Sequence, residues 1–182
     1  MSDNAQILVD VEVSVERASE LASVVRAWLV DEGIIEQEQS DSVLADTGGH
    51  RPGRNYRAAV KTDEDAFLCL STNGLAIVVG RRVFDAGGNG IELRCNACAE
   101  AFEPDDSWSA AVSTWFDGDN LASFPCPSCG HRTRLAEWRG PWPWGFGNLG
   151  LQFWNWPPLS EEFIHTVTQK LGHRTVMVWQ HI

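Results

Sequence analysis

The chain has 182 residues, of which 43% are hydrophobic and 21% are charged, and its formal net charge is −11. These values are typical of a globular protein and exclude a disordered one, and the length suits one full domain with a small satellite. The acidic excess repels nucleic-acid phosphates, which makes nucleic acid an unfavoured partner. No apolar run is long enough to span a membrane. The N-terminus carries no secretory signal, so we expect a reducing, cytoplasmic compartment.

The first predicted elements are a strand and a helix. Residues 7–13 alternate apolar and acidic side chains, which predicts a half-buried strand. Ser14 then caps a helix whose apolar residues recur at helical spacing and which ends at Gly33. The acidic, Ser-rich residues 36–47 and the Gly- and Pro-containing residues 48–53 predict a loop.

A β-hairpin is predicted next. The apolar residues 66–70 and 75–79 flank Asn73 and Gly74, a pair that favours the positive φ angles of a tight turn. The second strand is expected to reach Phe84 before residues 85–90 break it. Cys69 is expected to be a buried free thiol in the middle of the first strand.

Two cysteine pairs are the strongest signal in the chain. Cys95 and Cys98 form one Cys-x-x-Cys motif, and Cys126 and Cys129 form the other. The two-residue gap lets both thiolates of a pair reach one ion, and two pairs supply the four ligands of a tetrahedral structural zinc site. Disulfides suit a reducing compartment poorly, and a catalytic redox pair would need one such motif in a thioredoxin-like setting. The sequence therefore predicts one structural zinc ion per chain.

The residues around both pairs resemble a zinc ribbon. Residues 124–132, Phe-Pro-Cys-Pro-Ser-Cys-Gly-His-Arg, look like its second knuckle, and residues 93–98 look like its first. Rubredoxins share the second knuckle, but a glycine follows their first pair where this chain has Ala99 and Glu100, and this departure disfavours an iron electron carrier. The resemblance covers about residues 91–139 and implies a metal-stabilised fold without naming an activity.

The remaining elements complete an α+β fold. A short helix capped by Asp106 or Ser107 is expected between the knuckles, a strand at residues 133–138 after them, and then a turn-rich connector at residues 139–150. A strand at residues 150–156, a helix from Ser160 to Gly172 and a strand at residues 175–179 follow. We expect an antiparallel or mixed sheet with strand–helix units at both termini. Residues 1–90 and 140–182 would form one α+β unit (the body), and residues 91–139 an inserted, elaborated zinc ribbon (the insert).

Tryptophans are concentrated in residues 138–156. Four of them, Trp142, Trp144, Trp154 and Trp156, are candidates for a surface that binds a ligand or a partner, because flat rings stack on sugars, bases and peptides. Alternatively, the aromatic residues of this segment seal the seam between insert and body, since a zinc ribbon has little core of its own. Trp154 and Trp156 are expected to share one face of a strand, with the helix at residues 160–171 covering that face.

A second candidate surface is the basic loop from His50 to Arg57. Arg51 and Arg54 lie among glycines and could bind a phosphate or a carboxylate, although the loop lacks the spacing of a P-loop. The alternative is a surface loop that partly neutralises the acidic N-terminal part. The sequence contains no Ser-His-Asp, Cys-His or paired-carboxylate motif typical of an enzyme.

Three functions are consistent with these features. The favoured hypothesis is a non-enzymatic, zinc-binding adaptor or immunity-like protein that binds another protein in the bacterial cytoplasm. The second is a small-ligand-binding protein or an enzyme that uses the basic loop and the Trp-rich segment as one pocket. The third is nucleic-acid binding through Arg132, Arg134 and Arg139. A pocket between the basic loop and the tryptophans would favour the second hypothesis, and buried tryptophans away from that loop would favour the first.

Overall fold

The computed structural model describes residues 2–46 and 48–182 and shows an α+β fold, as the sequence predicted. In chain order its helices and strands are β1 (Asn4–Asp10), α1 (Val15–Asp31), β2 (Ile35–Ser40), β3 (Gly49–Pro52), β4 (Leu75–Phe84), β5 (Leu93–Arg94), β6 (Ala101–Phe102), α2 (Ser107–Phe116), β7 (Ser123–Pro125), β8 (Arg132–Arg134), β9 (Gly145–Trp154), α3 (Glu161–Leu171) and β10 (Thr175–His181). Strand–helix units do occur at both ends of the chain.

The main sheet has six strands in the spatial order β10-β1-β9-β4-β3-β2, and all of their pairings are antiparallel. Helices α1 and α3 cover one face and form the largest core with it. From the helices this core takes residues such as Leu29 and Phe163, and from the sheet Leu8, Leu151 and Phe153. Burial of these apolar side chains is the main source of the stability of the body.

A second, smaller core lies on the opposite face of the sheet. It contains Ile7, Val78, Phe84, Trp154 and Val178, which alternate along their strands with residues of the first core. The ring of Phe84 lies directly over Gly150, where an added Cβ would come within 2.4 Å of it. Both faces of the central strands are therefore buried.

The predicted loop at residues 36–53 is wrong in two places, because the structure forms β2 and β3 there. Thr47, within the same predicted loop, lies outside the described residues. β2 is an edge strand whose middle residues are exposed, and its register with β3 is irregular. An edge strand with two polar faces shows no apolar alternation, so no local pattern predicted β2.

The first strand of the predicted hairpin is also wrong. Residues Ala66–Cys69 form a turn of 3₁₀ helix, and β4 pairs instead with β9 and β3. The amide of the buried Asn73 donates hydrogen bonds to the carbonyls of Phe67 and Leu68, which folds this segment back on itself. Cys69, predicted to be buried, is exposed as a consequence.

The prediction that Trp154 and Trp156 share one face is wrong because of the backbone conformation of Asn155. Its φ of 54° is in the left-handed region, which interrupts the alternation of side chains at the end of β9. Trp154 therefore joins the second core, whereas Trp156 joins the first and packs against Phe153. It is Phe153, not Trp154, that contacts Phe163 of α3. Both tryptophans are buried and offer no exposed surface.

Other boundaries also differ from the prediction: β1 is Asn4–Asp10 and not residues 7–13, and β10 extends to His181. β9 begins at Gly145, inside the predicted connector, because glycines there allow close approach to β1: a Cβ on Gly145 or Gly147 would come within 2.8 Å of the side chain of Val9. The predicted strand at residues 133–138 is only Arg132–Arg134, followed by a 3₁₀ turn. The C-terminal helix is as predicted: Ser160 accepts a hydrogen bond from the N–H of Phe163, and Gly172 ends the helix at a φ of 71°.

We expect Trp156→Ala to lower the free energy of unfolding by about 3–5 kcal/mol, the cost of an aromatic truncation in a core. The ring is 5% exposed, contacts Tyr56, Phe67 and Phe153, and donates its indole N–H to the carbonyl of Asn73 at 2.8 Å. Trp179→Ala is the control, because that ring is 42% exposed and should cost less than about 1 kcal/mol. Urea unfolding would measure both, and equal costs would contradict the assignment.

Candidate metal centre

Two small hairpins carry the four cysteines. β5 pairs with β6 and β7 pairs with β8, and each hairpin has one Cys-x-x-Cys pair at its tip. Helix α2 connects the two hairpins. An antiparallel bridge between Arg94 and Arg139 closes the base of this region. The arrangement brings together pairs that are far apart in sequence.

The four sulfurs lie within 4.8 Å of one another. The Sγ atoms of Cys95 and Cys129 are 3.7 Å apart, as are those of Cys98 and Cys126, so no disulfide joins them. Four sulfurs at ~2.3 Å from one tetrahedral ion would be ~3.8 Å apart, which agrees with these separations. The cluster could therefore hold a metal ion without rearrangement of the backbone.

The two knuckles have the same backbone geometry. The N–H of Cys95 donates to the carbonyl of Glu100 at 2.8 Å, and that of Cys126 donates to the carbonyl of His131 at 2.8 Å. The residue after each pair donates back to the first cysteine of the pair, from Ala99 at 3.0 Å and from Gly130 at 2.9 Å. Both of these residues have a positive φ, 61° for Ala99 and 73° for Gly130. Ala99 thus takes the backbone conformation that usually requires glycine.

The pKa values of the cysteine thiols differ. The backbone N–H of Cys98, followed by that of Ala97, lowers the pKa of Cys95 to about 6. The pKa of Cys98 is lowered by the backbone N–H of Glu100 but raised more strongly by burial and the adjacent sulfurs, and lies at about 12. Closely spaced sulfurs oppose a build-up of negative charge, and a bound cation would remove this opposition.

An ion bound by the four cysteines would have no open coordination position, and two of its ligands would reach the surface. Cys95 and Cys126 are buried, while Cys98 and Cys129 reach the surface. His131 is exposed and does not belong to the cluster; its carbonyl, not its ring, supports the second knuckle. Four thiolates satisfy a tetrahedral ion and leave no position for a substrate, which is typical of a structural site.

Aromatic side chains join the insert to the body. A third core combines residues of the insert, including Trp108, Trp115 and Trp138, with Phe146 and Trp144 from the chain that returns to the sheet. Phe146 packs edge-on against Trp115 at 5.2 Å between ring centroids, and Trp108 does the same with Phe124 at 5.3 Å. Trp138 and Trp144 therefore lie in the seam, in line with the alternative stated for this segment. Trp142 remains exposed.

Arg81 ties β4 to the end of α2. A β-bulge at Gly80, whose φ is 109°, interrupts the register of β4 just before this residue. The guanidinium lies 3.8 Å over the ring of Trp115, its Nε donates to the carbonyl of Trp115 at 2.7 Å, and a second nitrogen donates to Asn120 at 2.7 Å. A cation at a helix C-terminus also interacts favourably with the helix dipole. No motif in the sequence pointed to a role for Arg81.

The basic loop and the Trp-rich segment do not form one pocket. Arg51 contacts Asn73 at 3.4 Å, and Arg54 is exposed beside Gly33. Tyr56 of the loop packs against Trp156, but this contact lies inside the core. His50 is buried and bonded to Arg26, a residue of α1 that the sequence did not single out. An arginine on the partly exposed side of a helix gives no signal of such a contact.

Comparisons of the chain with protein-family models, curated proteins and solved structures gave no match. Support for the metal centre therefore comes from the geometry of the chain itself.

Within residues 2–46 and 48–182, no helix is long and apolar enough to cross a membrane.

We expect Gly130→Ala to weaken metal binding and Ala99→Gly to leave it equal or strengthen it. A Cβ at Gly130 would meet nothing within 4 Å, so the cost is the left-handed backbone alone, about 1 kcal/mol or about fivefold in affinity. Ala99→Gly relieves the same strain at the equivalent position but adds freedom to the unfolded chain. Competition with a chromophoric chelator measures both variants, and weaker binding by Ala99→Gly would contradict the equivalence.

Proposed function

We propose that this chain is a non-enzymatic, zinc-stabilised protein of the bacterial cytoplasm that acts by binding another protein, as an adaptor or an immunity-like protein. The observation that carries the proposal is the complete four-sulfur cluster, which supports a structural metal with no open coordination position. The division into a body and an insert at residues 91–139 is part of the same proposal. It is supported by the Arg94–Arg139 bridge at the base of the insert and by the aromatic core, which draws most of its residues from the insert and shares Phe146 and Trp144 with the body.

Zinc is the proposed ion. A tetrahedral set of four thiolates suits zinc or iron. The residues after the first pair, Ala99 and Glu100, differ from the rubredoxin pattern, which favours zinc. Cys95, Cys98, Cys126 and Cys129 would bind the ion. It would fix the two hairpins relative to each other, because neither hairpin has more than three residues in either strand.

The proposed contact surface is the turn that follows α2, residues 116–121 (the recognition turn). Phe116 is 53% exposed and Leu121 is 62% exposed, the latter the most exposed of the large apolar residues described. Asp117 and Asp119 lie between them, and both are exposed. Arg81 of β4 donates a hydrogen bond to the side chain of Asn120 in the same turn, so a strand of the body fixes the position of this turn. An apolar pair flanking two carboxylates, on a chain of net charge −11, is complementary to a partner with a basic and apolar surface.

The arginines near the second knuckle support a protein partner over a nucleic acid. Arg132 donates to the side chain and the carbonyl of Ser123, and Arg134 forms an ion pair with Glu137. These two cations are engaged within the insert, and phosphate binding would compete with those contacts. Nucleic-acid binding remains the third hypothesis, with the weakest support.

Purified protein should contain one zinc ion per chain, and Cys126→Ser should lose it and unfold the insert, because a short metal-bound hairpin gains most of its order from the ion. Metal analysis by mass spectrometry gives the stoichiometry, and hydrogen exchange locates the unfolding. Cys69→Ser is the matched control, since Cys69 is exposed and lies outside the cluster. Bound iron would contradict the proposed metal, and collapse of the whole sheet would contradict the domain boundary.

Partner binding is tested by quantitative capture from the native cell with the double variant Phe116→Ser/Leu121→Ser. We expect a basic protein that the native chain retains to be reduced at least about tenfold, the effect of removing two apolar contacts from the centre of an interface. Val24→Ser is the control, because Val24 is 53% exposed on α1 and outside the recognition turn. Raised salt should weaken the same interaction.

The two variants separate specific from incidental capture. A protein retained equally by the native chain and the double variant does not bind the recognition turn. If no captured protein depends on Phe116 and Leu121, the proposed interaction surface is wrong.

A further inference from the structure

A small pocket of about 190 Å³ lies between α1 and the strands β2, β3 and β4. Ser19, Ser23 and Arg26 line it from α1, and Gln39 and His50 line it from the opposite side. Ala22, Ile77 and Val79 supply an apolar wall. Among the described residues that line the pocket, Arg26 is the only one with a permanently charged side chain. The pocket is thus polar at one end and apolar at the other.

The guanidinium of Arg26 is held in place without a carboxylate. Its Nε donates to Nε2 of His50 at 3.1 Å, and one terminal nitrogen donates to the carbonyl of Gln37 at 2.8 Å. Within residues 2–46 and 48–182 it forms no ion pair, although the chain has 25 acidic residues. Among the described residues, the other terminal nitrogen has no hydrogen-bond partner, so its donors are free for a ligand. A fixed, half-buried cation of this kind is a preorganised anion receptor.

His50 fixes the orientation of the arginine. The ring is buried, and its Nδ1 lies 2.9 Å from the carbonyl of Glu36, so Nδ1 carries the proton and Nε2 accepts from Arg26. Burial, followed by the charge of Arg26, lowers the pKa of His50 and so favours the neutral ring. The pocket therefore offers a single positive charge, from Arg26 alone.

We propose that this pocket binds a small monocarboxylate with a short apolar chain, independently of the partner-binding function. The planar guanidinium pairs with a carboxylate through parallel hydrogen bonds. Ser19 and Ser23 also line the pocket, but the hydroxyl of Ser23 donates to the carbonyl of Ser19. Ile77 and Val79 contact the apolar end of the ligand. The volume lies below the range of pockets for drug-sized ligands, which limits the ligand to a few heavy atoms. One cation matches one negative charge better than the two of a phosphate.

Nuclear magnetic resonance titration of the full, metal-loaded chain tests the proposal with butyrate as the probe. We expect saturable shifts at the Arg26 Nε–H and at the methyl groups of Ile77 and Val79, with a dissociation constant of roughly a millimolar for so small a ligand. Butyramide has the same shape without the charge and should bind at least about tenfold more weakly. Inorganic phosphate should also bind more weakly than butyrate.

Two variants distinguish loss of the site from loss of the fold. Arg26→Gln should weaken butyrate binding at least about tenfold, but it also removes the contacts to His50 and Gln37. Ser23→Asp keeps those contacts and places a carboxylate three residues before Arg26 on the helix, where it occupies the guanidinium and should exclude butyrate. Arg54→Gln is the control, because Arg54 is exposed and does not line the pocket.

Each outcome of the titrations either supports or overturns the proposal. Butyrate binding that Ser23→Asp abolishes and Arg54→Gln preserves supports the site. The proposal is overturned if butyrate gives no saturable shifts, if Ser23→Asp binds it like the native chain, or if phosphate binds more tightly than butyrate.

Discussion

The pairing of β4 with β9 is the constraint on which the rest of the structure depends. These are the two longest strands, and they pair from Leu75–Phe153 to Phe84–Gly145 with one bulge between. Because side chains alternate across a strand, the pair contributes to the helix-covered core on one face and to the second core on the other. At the far end of the same pair, Val83 and Phe146 enter the aromatic core of the insert. All three cores therefore meet along one pair of strands.

Two arginines of this acidic chain are held in place by uncharged groups. Arg81 and Arg26 are both partly buried, and neither forms an ion pair within the described residues. Each is held by uncharged groups: Arg81 by a carbonyl, an amide and an indole ring, and Arg26 by an imidazole and a carbonyl. The first use joins the insert to the sheet, and the second leaves a cation free to bind a ligand. Uncharged partners position an arginine without cancelling its charge.

Features that depend on a few neighbouring residues could be predicted from the sequence, whereas features that depend on distant residues could not. The cysteine spacing identified the metal cluster, and the caps at Ser160 and Gly172 located α3, because these features act within a few residues. β2, the turn at Ala66–Cys69 and the contact between Arg26 and His50 were missed, since each depends on residues distant in sequence or lacks an apolar pattern. Trp154 and Trp156 show the limit most clearly: the sequence left open whether they form a surface or a core, and the φ of Asn155 places them in cores on opposite faces of the sheet.

The position of the cysteine cluster has a consequence for how the chain reaches this fold. Pairing of β4 with β9 closes the long loop between Phe84 and Gly145, and the entropy lost in closing a loop grows with its length. A metal held by the four cysteines cross-links residues 95 and 129 within that loop and so shortens its effective length. Because long-range pairings slow folding, early metal capture by the hairpins would speed formation of the central strands. The ion would then act on the folding rate of a sheet that it never contacts.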